Sequence, residues 1–368
     1  MNLVFLQRLD QAGGGSRASM RGTLRALRAE RADWDLTLVS QNCGPVGQEM
    51  IKLGVRHHAA PLPRFRKLWE RPAFWYECRR LAKVLAGHRP DALLSNEWVT
   101  APHAFQMARQ LGIPALSYVR DFAAVARGRK YQLHQMDRLL CVCETMRRDL
   151  IGAGYDPEKV RTVYNPIQQT GSSKPEITAH GRILQMTDVD RWLLYLGRIS
   201  PRKNQIAALE TLKLLRERTR ERWGLILAGD EDENYTRVLD DAVKSMGLEN
   251  AVVRVGLVTE PAWLFALADA SVLTSKSEGL ARVLIESFLC GRPAFSYPLE
   301  GLEDIYGSEM ERFVAEERTP GALADRILAA LENKSELQDR TDELKRMFEA
   351  RHSVDSHVAA FEQAVSFG

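Results

Sequence analysis

Short apolar runs alternate with longer stretches of helical spacing from one end of this chain to the other, and few folds admit that alternation. A run such as Leu3–Leu6 has no polar face, so a strand built from it must be covered on both sides. Strands covered in that way are parallel, and each needs a crossover helix to reach the next. In the first half the expected strands are Asn2–Gln7, Asp35–Ser40, Val55–His57, Ala92–Ser95, Ala115–Tyr118, Arg138–Val142 and Val160–Tyr164. Helical patterns fall between them at Ser16–Ala32, Pro72–Ala86, Thr100–Leu111 and Glu144–Ala153.

A composition break follows at Asn165–His180, which is polar and rich in turn formers. A second series then begins, with strands at Trp192–Leu196, Gly224–Ala228, Ala251–Val255, Ala270–Thr274 and Arg292–Ser296. Its helices are expected at Gln205–Arg218, Tyr235–Met246, Pro261–Ala268 and Arg282–Cys290. The length of 368 residues also exceeds what one core usually serves. The reading is therefore α/β, with two Rossmann-like domains: residues 1–165, a linker at 166–190, and residues 191–350. A closing helical segment within 351–368 has no strand after it and is expected to pack back on the first domain.

Charge separates the two halves. Residues 1–168 carry 26 Lys and Arg against 15 Asp and Glu, and the remainder carries 25 against 33. A basic half suggests that one domain meets an anionic partner or surface. No apolar run approaches the roughly 20 residues that a membrane span needs. The opening MNLVFLQRLDQAGGG is interrupted by charge too soon for a signal peptide and reads as a buried first strand. The five cysteines (Cys43, Cys78, Cys141, Cys143 and Cys290) form no metal-ligand spacing, and their odd count fits a reducing, cytoplasmic setting.

Ligands of open parallel sheets bind beyond the carboxyl ends of the strands, and the informative residues cluster there. The strand LLYLG runs straight into GRISPRKN, which places Arg198 and Lys203 at the mouth of the second domain. Two such cations suit a diphosphate through charge-assisted hydrogen bonds, although most basic loops are merely solvated. The one acidic cluster nearby, the GDEDEN stretch, reads as a solvated turn and not as a metal site, so no metal is expected.

A second cluster lies in TSKSEGLARVLIESFLCGRP, where a strand end passes through a turn into a helix that is apolar almost all round. Glu286 sits inside that helix and needs a donor. Glu278 precedes it, and the amides of Gly279, Leu280, Ala281 and Arg282 open the helix as an anion site. Eight residues across a turn and the first helical turns span roughly 6–12 Å, about the reach from a hexose over a diphosphate to a ribose. On that reading Glu278 contacts a sugar, the amides contact phosphates and Glu286 contacts ribose hydroxyls. A Glu286 paired within the core and a solvated Glu278 fit the residues equally well.

Glu278 and Glu286 resemble the E-x7-E motif of the retaining, GT-B-fold glycosyltransferases of glycosyltransferase family 4. GRISPRKN is similar to that family's Gly-Arg…Lys motif, VYNPI at Val163–Ile167 to its interdomain segment, and LILAGD to its Gly-Asp turn. The likeness runs over about Val160–Pro298 and is diffuse before it. It implies two Rossmann-like domains facing each other across a cleft, a nucleoside-diphosphate sugar donor, no metal or cofactor, and retention at the anomeric carbon. It also implies a front-face mechanism in which the leaving phosphate oxygen helps to deprotonate the acceptor. By the likeness Arg198 and Lys203 hold the diphosphate, Glu278 the sugar and Glu286 the ribose, while Val258 offers a backbone contact to the base. Ala281, where many members carry glycine, is a departure, and Arg282 either adds a charge beside the phosphates or faces solvent.

In the first domain, Gly13, Gly14 and Gly15 precede a helix and would let backbone approach a ligand closely, unless they form a plain flexible loop. The family's histidine after the strand that here reads ALSYV is absent, and Arg120 and Asp121 stand in its place. Asp121 could orient the donor sugar and Arg120 an acidic acceptor; an Arg–Asp pair holding the loop is the alternative. His103 joins the acceptor candidates, although a structural histidine is commoner at such a place.

PLPRFRKLWERPAFWYECRR interleaves Arg64, Arg66, Lys67, Arg71, Arg79 and Arg80 with five aromatics. That mixture suits an acidic glycolipid acceptor or the inner face of a membrane, or else a helix with core aromatics and solvated cations. Arg64 and Arg66 complete the acceptor set. Nucleic acid is not expected, because no helix-turn-helix, zinc or RNA-binding signature is present. The expected function is transfer of a hexose to a saccharide or lipid-linked acceptor in polysaccharide or lipopolysaccharide assembly. A nucleotide-sugar 2-epimerase on the same fold and a non-catalytic sugar-nucleotide-binding subunit are the alternatives.

Overall fold

In a computed structural model of the chain, the described residues are 1–8, 14–65, 67–167, 181, 183, 186 and 188–367. Gly13, Arg66 and most of the expected 166–190 linker lie outside them. The chain divides into two compact units: Met1–Gln168 with Arg351–Gly368, and Gln169–Ala350.

The first unit holds a seven-stranded parallel sheet. Its strands are β1 (Asn2–Gln7), β2 (Asp35–Ser40), β3 (Arg56–Ala59), β4 (Ala92–Ser95), β5 (Ala115–Val119), β6 (Arg138–Cys141) and β7 (Val160–Thr162), in the spatial order β3-β2-β1-β4-β5-β6-β7. The apolar strands β1, β4 and β5 are central and buried on both faces, as their unbroken hydrophobicity requires. The polar strand β3 (RHHA) sits at the edge, where solvent covers what helices do not.

The second unit repeats the plan with five parallel strands: β8 (Arg191–Leu196), β9 (Trp223–Ala228), β10 (Val252–Gly256), β11 (Ala270–Leu273) and β12 (Ala294–Ser296). Their order is β10-β9-β8-β11-β12. In each sheet the first strand lies between the second and fourth, so the winding reverses at β1/β4 and at β8/β11. Crevices open at such switch points.

Two helices that the sequence reading leaves out, Pro320–Glu332 and Lys334–Arg351, complete the second unit; the first of them packs on the helix Gln205–Arg218. The last helix, Val354–Val365, returns to the first unit. Ser353 caps it by accepting from the Ser356 amide, and its Phe361 ring stacks 6.2 Å from Phe5 of β1 and 6.5 Å from Tyr118 of β5. Burying one such ring contributes about 2–3 kcal/mol. His352 and His357 then fasten this end of the chain through Nδ1 to the backbone carbonyls of Asn165 and Tyr164, each at 2.7 Å.

Candidate functional site

At the β8/β11 switch point, two loops are laced together by their backbones. The Gly197 amide donates to the Ala228 carbonyl, the Ile199 amide to Asp230 and the Asp232 amide to Ile199, which binds the loop after β8 to the loop after β9. Gly229 makes that approach possible, because a Cβ there would stand 2.2 Å from the Gly197 carbonyl oxygen, at a φ of +148°. On the other side the Lys276 amide donates to the Arg202 carbonyl, and the Thr274 hydroxyl donates to the Asn204 carbonyl. Asn204, in the left-handed region at φ 56°, turns the loop into the helix Gln205–Arg218.

This lacing aims Lys203 inward, at Glu278. The ammonium donates to Glu278 Oε1 at 2.5 Å, and both side chains are nearly buried, at 12% and 10% exposed. Burial pulls the Lys203 pKa down, against the opposing pull of the Glu278 carboxylate. Arg202 closes on the same acid: its guanidinium donates to the Ser277 carbonyl at 2.6 Å and lies 3.5 Å from Glu278 Oε2. The Tyr195 hydroxyl donates to the Lys203 carbonyl and fixes the loop from beneath. Arg198 differs: its side chain is 59% exposed, with Asp230 at 3.8 Å.

The helix Arg282–Leu289 begins beyond Glu278 and buries Leu284, Ile285, Phe288 and Leu289. Glu286 finds its donor one turn earlier, in Arg282 at 3.0 Å, so Arg282 here is a helix partner of the acid. The Arg282 amide donates to the Leu280 carbonyl, so of the four amides expected to open an anion site this one is engaged internally. Gly279, Leu280 and Ala281 form the turn that leads into the helix. Val258, in the loop after β10, packs its side chain against the apolar cluster around Leu194, Ile226 and Trp263. The acidic GDEDEN stretch is more than a solvated turn: Asp232 caps the helix Glu233–Ser245, and Glu231 pairs with Arg254 at 3.1 Å. Among the described residues no group of three or more His, Cys, Asp or Glu could hold a metal ion.

The β1/β4 switch point of the first unit is built differently. Asn96, buried just after β4, donates from Nδ2 to Gln7 Oε1 at 2.5 Å and to the Ser16 carbonyl at 3.2 Å. Arg120, 9% exposed, donates from Nε to the Asn96 carbonyl and Oδ1 and from a terminal nitrogen to Asn165 Oδ1 at 2.6 Å. Its guanidinium lies 4.0 Å from the centre of the Tyr118 ring. Arg120 therefore leaves the acceptor set, because a guanidinium held inside by two asparagines cannot also present itself to a bulky ligand. Asp121 turns elsewhere, accepting from Trp98 Nε1 at 3.0 Å, so the two residues do not close on each other as a loop-stabilising pair. The second Asp121 oxygen is buried and has no hydrogen-bond partner among the described residues.

His103 also leaves the acceptor set. It is 3% exposed, bonded through Nε2 to the Pro63 carbonyl at 2.9 Å and packed edge-on against Phe74; burial lowers its pKa to about 4. It props the loop at the head of the basic aromatic stretch. Arg64 lies exposed on that loop, and Arg66 falls outside the described residues. Gly14 caps the helix Gly15–Glu30 at φ 106°, and Gly15 faces open space. Trp98, Asn96 and Arg202 are the participants that sequence reasoning missed. Only Arg202 left a signal, as the second of the three cations of GRISPRKN.

Two glycosyltransferase family models match the chain in tandem: Glycosyltransferase Family 4 over residues 13–169, and Glycosyl transferases group 1 over residues 180–347. The D-inositol 3-phosphate glycosyltransferase of Thermobispora bispora is 26% identical over 58% of this chain and 56% of its own length. The O-antigen chain mannosyltransferase B of Escherichia coli is 30% identical over 39% of this chain and 38% of its own. This chain thus matches about half, or less, of the length of those curated relatives. Among solved structures, the Anabaena protein HepE in complex with UDP and glucose matches with a TM-score of 0.82 at 16% identity, covering 99% of both chains, which is a likeness of fold.

Proposed function

We propose that the chain is a GT-B glycosyltransferase that moves a hexose from a nucleoside-diphosphate sugar to a saccharide or lipid-linked acceptor in the assembly of a cell-surface glycan, a reading supported by the two family models matched in tandem. The observation that carries this reading is the Lys203–Glu278 pair at the β8/β11 switch point, a basic and an acidic side chain in contact at 2.5 Å in a nearly buried place. An arriving donor offers each of them a better partner. Its diphosphate takes Lys203, joined by the exposed Arg198, and its sugar hydroxyls take Glu278. The turn Gly279–Ala281 meets the phosphates, Glu286 the ribose hydroxyls and the Val258 backbone the base.

When the bond from the anomeric carbon to the β-phosphate oxygen breaks, the electron pair stays with the phosphate, and Lys203 and Arg198 stabilise that charge. The acceptor hydroxyl bonds to the anomeric carbon and passes its proton to the leaving oxygen on the same face, which retains configuration. With protein cations supplying the positive charge, the reaction proceeds without a metal. Asp121, with one oxygen on Trp98 and the other unpartnered, is the first-unit group proposed to orient the sugar.

UDP and glucose, bound by the Anabaena relative, make UDP-glucose the first donor to try beside GDP-, ADP- and TDP-sugars. The test uses Glu278→Gln and Glu286→Gln, with EDTA present throughout. Glu286→Gln is expected to weaken free nucleoside diphosphate and intact donor alike, and Glu278→Gln to spare the free nucleotide while lowering turnover. Each affected constant should change about 10- to 150-fold, the worth of one charge-assisted hydrogen bond. Equal weakening of free nucleotide by both variants would refute the sugar-versus-ribose assignment, and loss of all transfer in EDTA would refute the metal-free reaction.

A further inference from the structure

The basic aromatic stretch separates into two faces once folded. On the helix Arg71–Ala86, Phe74, Cys78, Leu81, Ala82 and Leu85 form the buried stripe. Phe65 tucks against Phe74 with ring centres 4.7 Å apart. The other large apolar residues face outward: Leu68 is 74% exposed, Trp69 73%, Tyr76 66% and Trp75 39%. Of the eleven large hydrophobic residues exposed among the described residues, five lie in the short span from Leu68 to Val84, including every exposed aromatic except Phe367. The one-turn 3-10 helix Leu68–Glu70 runs directly into Arg71–Ala86, so Leu68, Pro72, Trp75, Tyr76 and Arg79 follow the spacing of one outer stripe.

Charge surrounds this apolar tip. Residues 64–83 hold seven Lys and Arg against two acids. Both acids are engaged locally: Glu70 accepts from the Lys67 amide at 2.9 Å, and Glu77 pairs with Arg80 at 2.8 Å. Lys67 lies 4.7 Å over the Trp69 ring, and Arg79 and Lys83 are exposed further along the helix. Bulky side chains ringed by cations match a surface that is negative at its face and apolar just beneath it. No helix among the described residues is long and apolar enough to cross a membrane, so this tip would lie on a bilayer.

We propose that the face formed by Leu68, Trp69, Trp75 and Tyr76, flanked by Lys67, Arg79 and Lys83, docks the first unit on an anionic lipid bilayer by shallow insertion of Leu68 and Trp69. The proposal is independent of the transfer reaction. It is tested by co-sedimentation of the full chain with vesicles of phosphatidylcholine alone and of phosphatidylcholine with phosphatidylglycerol. The wild type should partition at least about tenfold more strongly onto the anionic vesicles and be released by high salt. Leu68→Ser/Trp69→Ser should lose about tenfold or more of that partition at low salt, and Arg79→Glu/Lys83→Glu should abolish the preference for anionic vesicles. All four side chains are exposed, so both variants should unfold at wild-type temperatures, which keeps a loss of binding interpretable. Equal binding to both vesicles would overturn the proposal. So would anionic binding that survives loss of Leu68 and Trp69, since that would leave only diffuse attraction. A change in the lipid-free sedimentation coefficient on Leu68→Ser/Trp69→Ser would overturn it too, by assigning the face to a second copy of the chain.

Discussion

The two sheets wind in the same order and reverse at equivalent places, yet what stands at the two switch points is of opposite character. At β8/β11 the polar groups are charged pairs: Lys203 with Glu278, set in loops held by backbone bonds, and Arg282 with Glu286, one turn apart on the helix that follows. At β1/β4 the charge of Arg120 is absorbed by the neutral amides of Asn96 and Asn165, and Asn96 bonds onward to Gln7 and Ser16. A nearly buried ion pair has two halves that can each take a ligand group of opposite sign. A closed amide network offers a ligand nothing that its members do not already have, and it stiffens the loops instead. On the proposed function, the difference separates a place that binds from a network that holds, beside which Asp121 keeps an oxygen open to a ligand.

Lys203→Met puts the largest strain on this contrast. It removes the cation proposed to meet the leaving group, and turnover should fall about 10²- to 10³-fold, the range found when one donor to a developing charge is removed. Lys203→Arg should recover part of the rate. The contrast predicts that the second unit stays folded, as read by circular dichroism and by protection of its amides from exchange. Loss of folding as great as the loss of rate would show that the pair holds rather than binds.

Arg120→Met should do the reverse. It leaves the Asn96 carbonyl and side-chain oxygen and the Asn165 side-chain oxygen without their buried donor, at a cost of about 3 kcal/mol in stability. Affinity for free nucleoside diphosphate, which the proposal places in the other unit, should change less than threefold, within about 0.6 kcal/mol. Urea denaturation and calorimetry read the two quantities separately.

A smaller effect comes from acid. His103 and His357, both in the first unit, have pKa values lowered to about 4 by burial, whereas unfolded they sit near 6.5. As pH falls below about 6.5 the unfolded chain takes up protons that the folded unit refuses, so stability is full above 6.5 and declines towards 4. At pH 5 each histidine should cost about 2 kcal/mol. Among the described residues the second unit contains no histidine, so the first unit should unfold at lower temperature in acid while the second lags. His103→Gln keeps a donor for the Pro63 carbonyl and should flatten the slope of midpoint against pH by about half.

The sequence made the strands legible because the central strands are covered on both faces, and all twelve fall within a few residues of the expected runs, the polar edge strand β3 included. Glu278 was legible for a different reason, since an acid between a strand end and an apolar helix stands out in a one-dimensional pattern. Which cation would meet it was not. Arg198 and Lys203 share a loop, and the turn through Asn204 with the lacing to Lys276 decides that Lys203 points inward while Arg198 faces out. Arg120 was misjudged because its partners are 24 and 45 residues away, and nothing local marks an asparagine as an acceptor. His103 was hidden for a similar reason: the Phe74 ring that covers it belongs to the preceding helix.

The return of the closing helix to the first unit bears on the order in which the chain can be finished. The ribosome delivers all seven strands of the first sheet, then the whole second unit, and only then the segment that carries Phe361, His352 and His357. Until that segment emerges, Phe5 and Tyr118 lack the ring that stacks on them, and the carbonyls of Tyr164 and Asn165 lack the histidines that bond them. The first unit is therefore completed only after the second, and a nascent chain halted near Ala350 holds one domain able to close and one still open along β1 and β5.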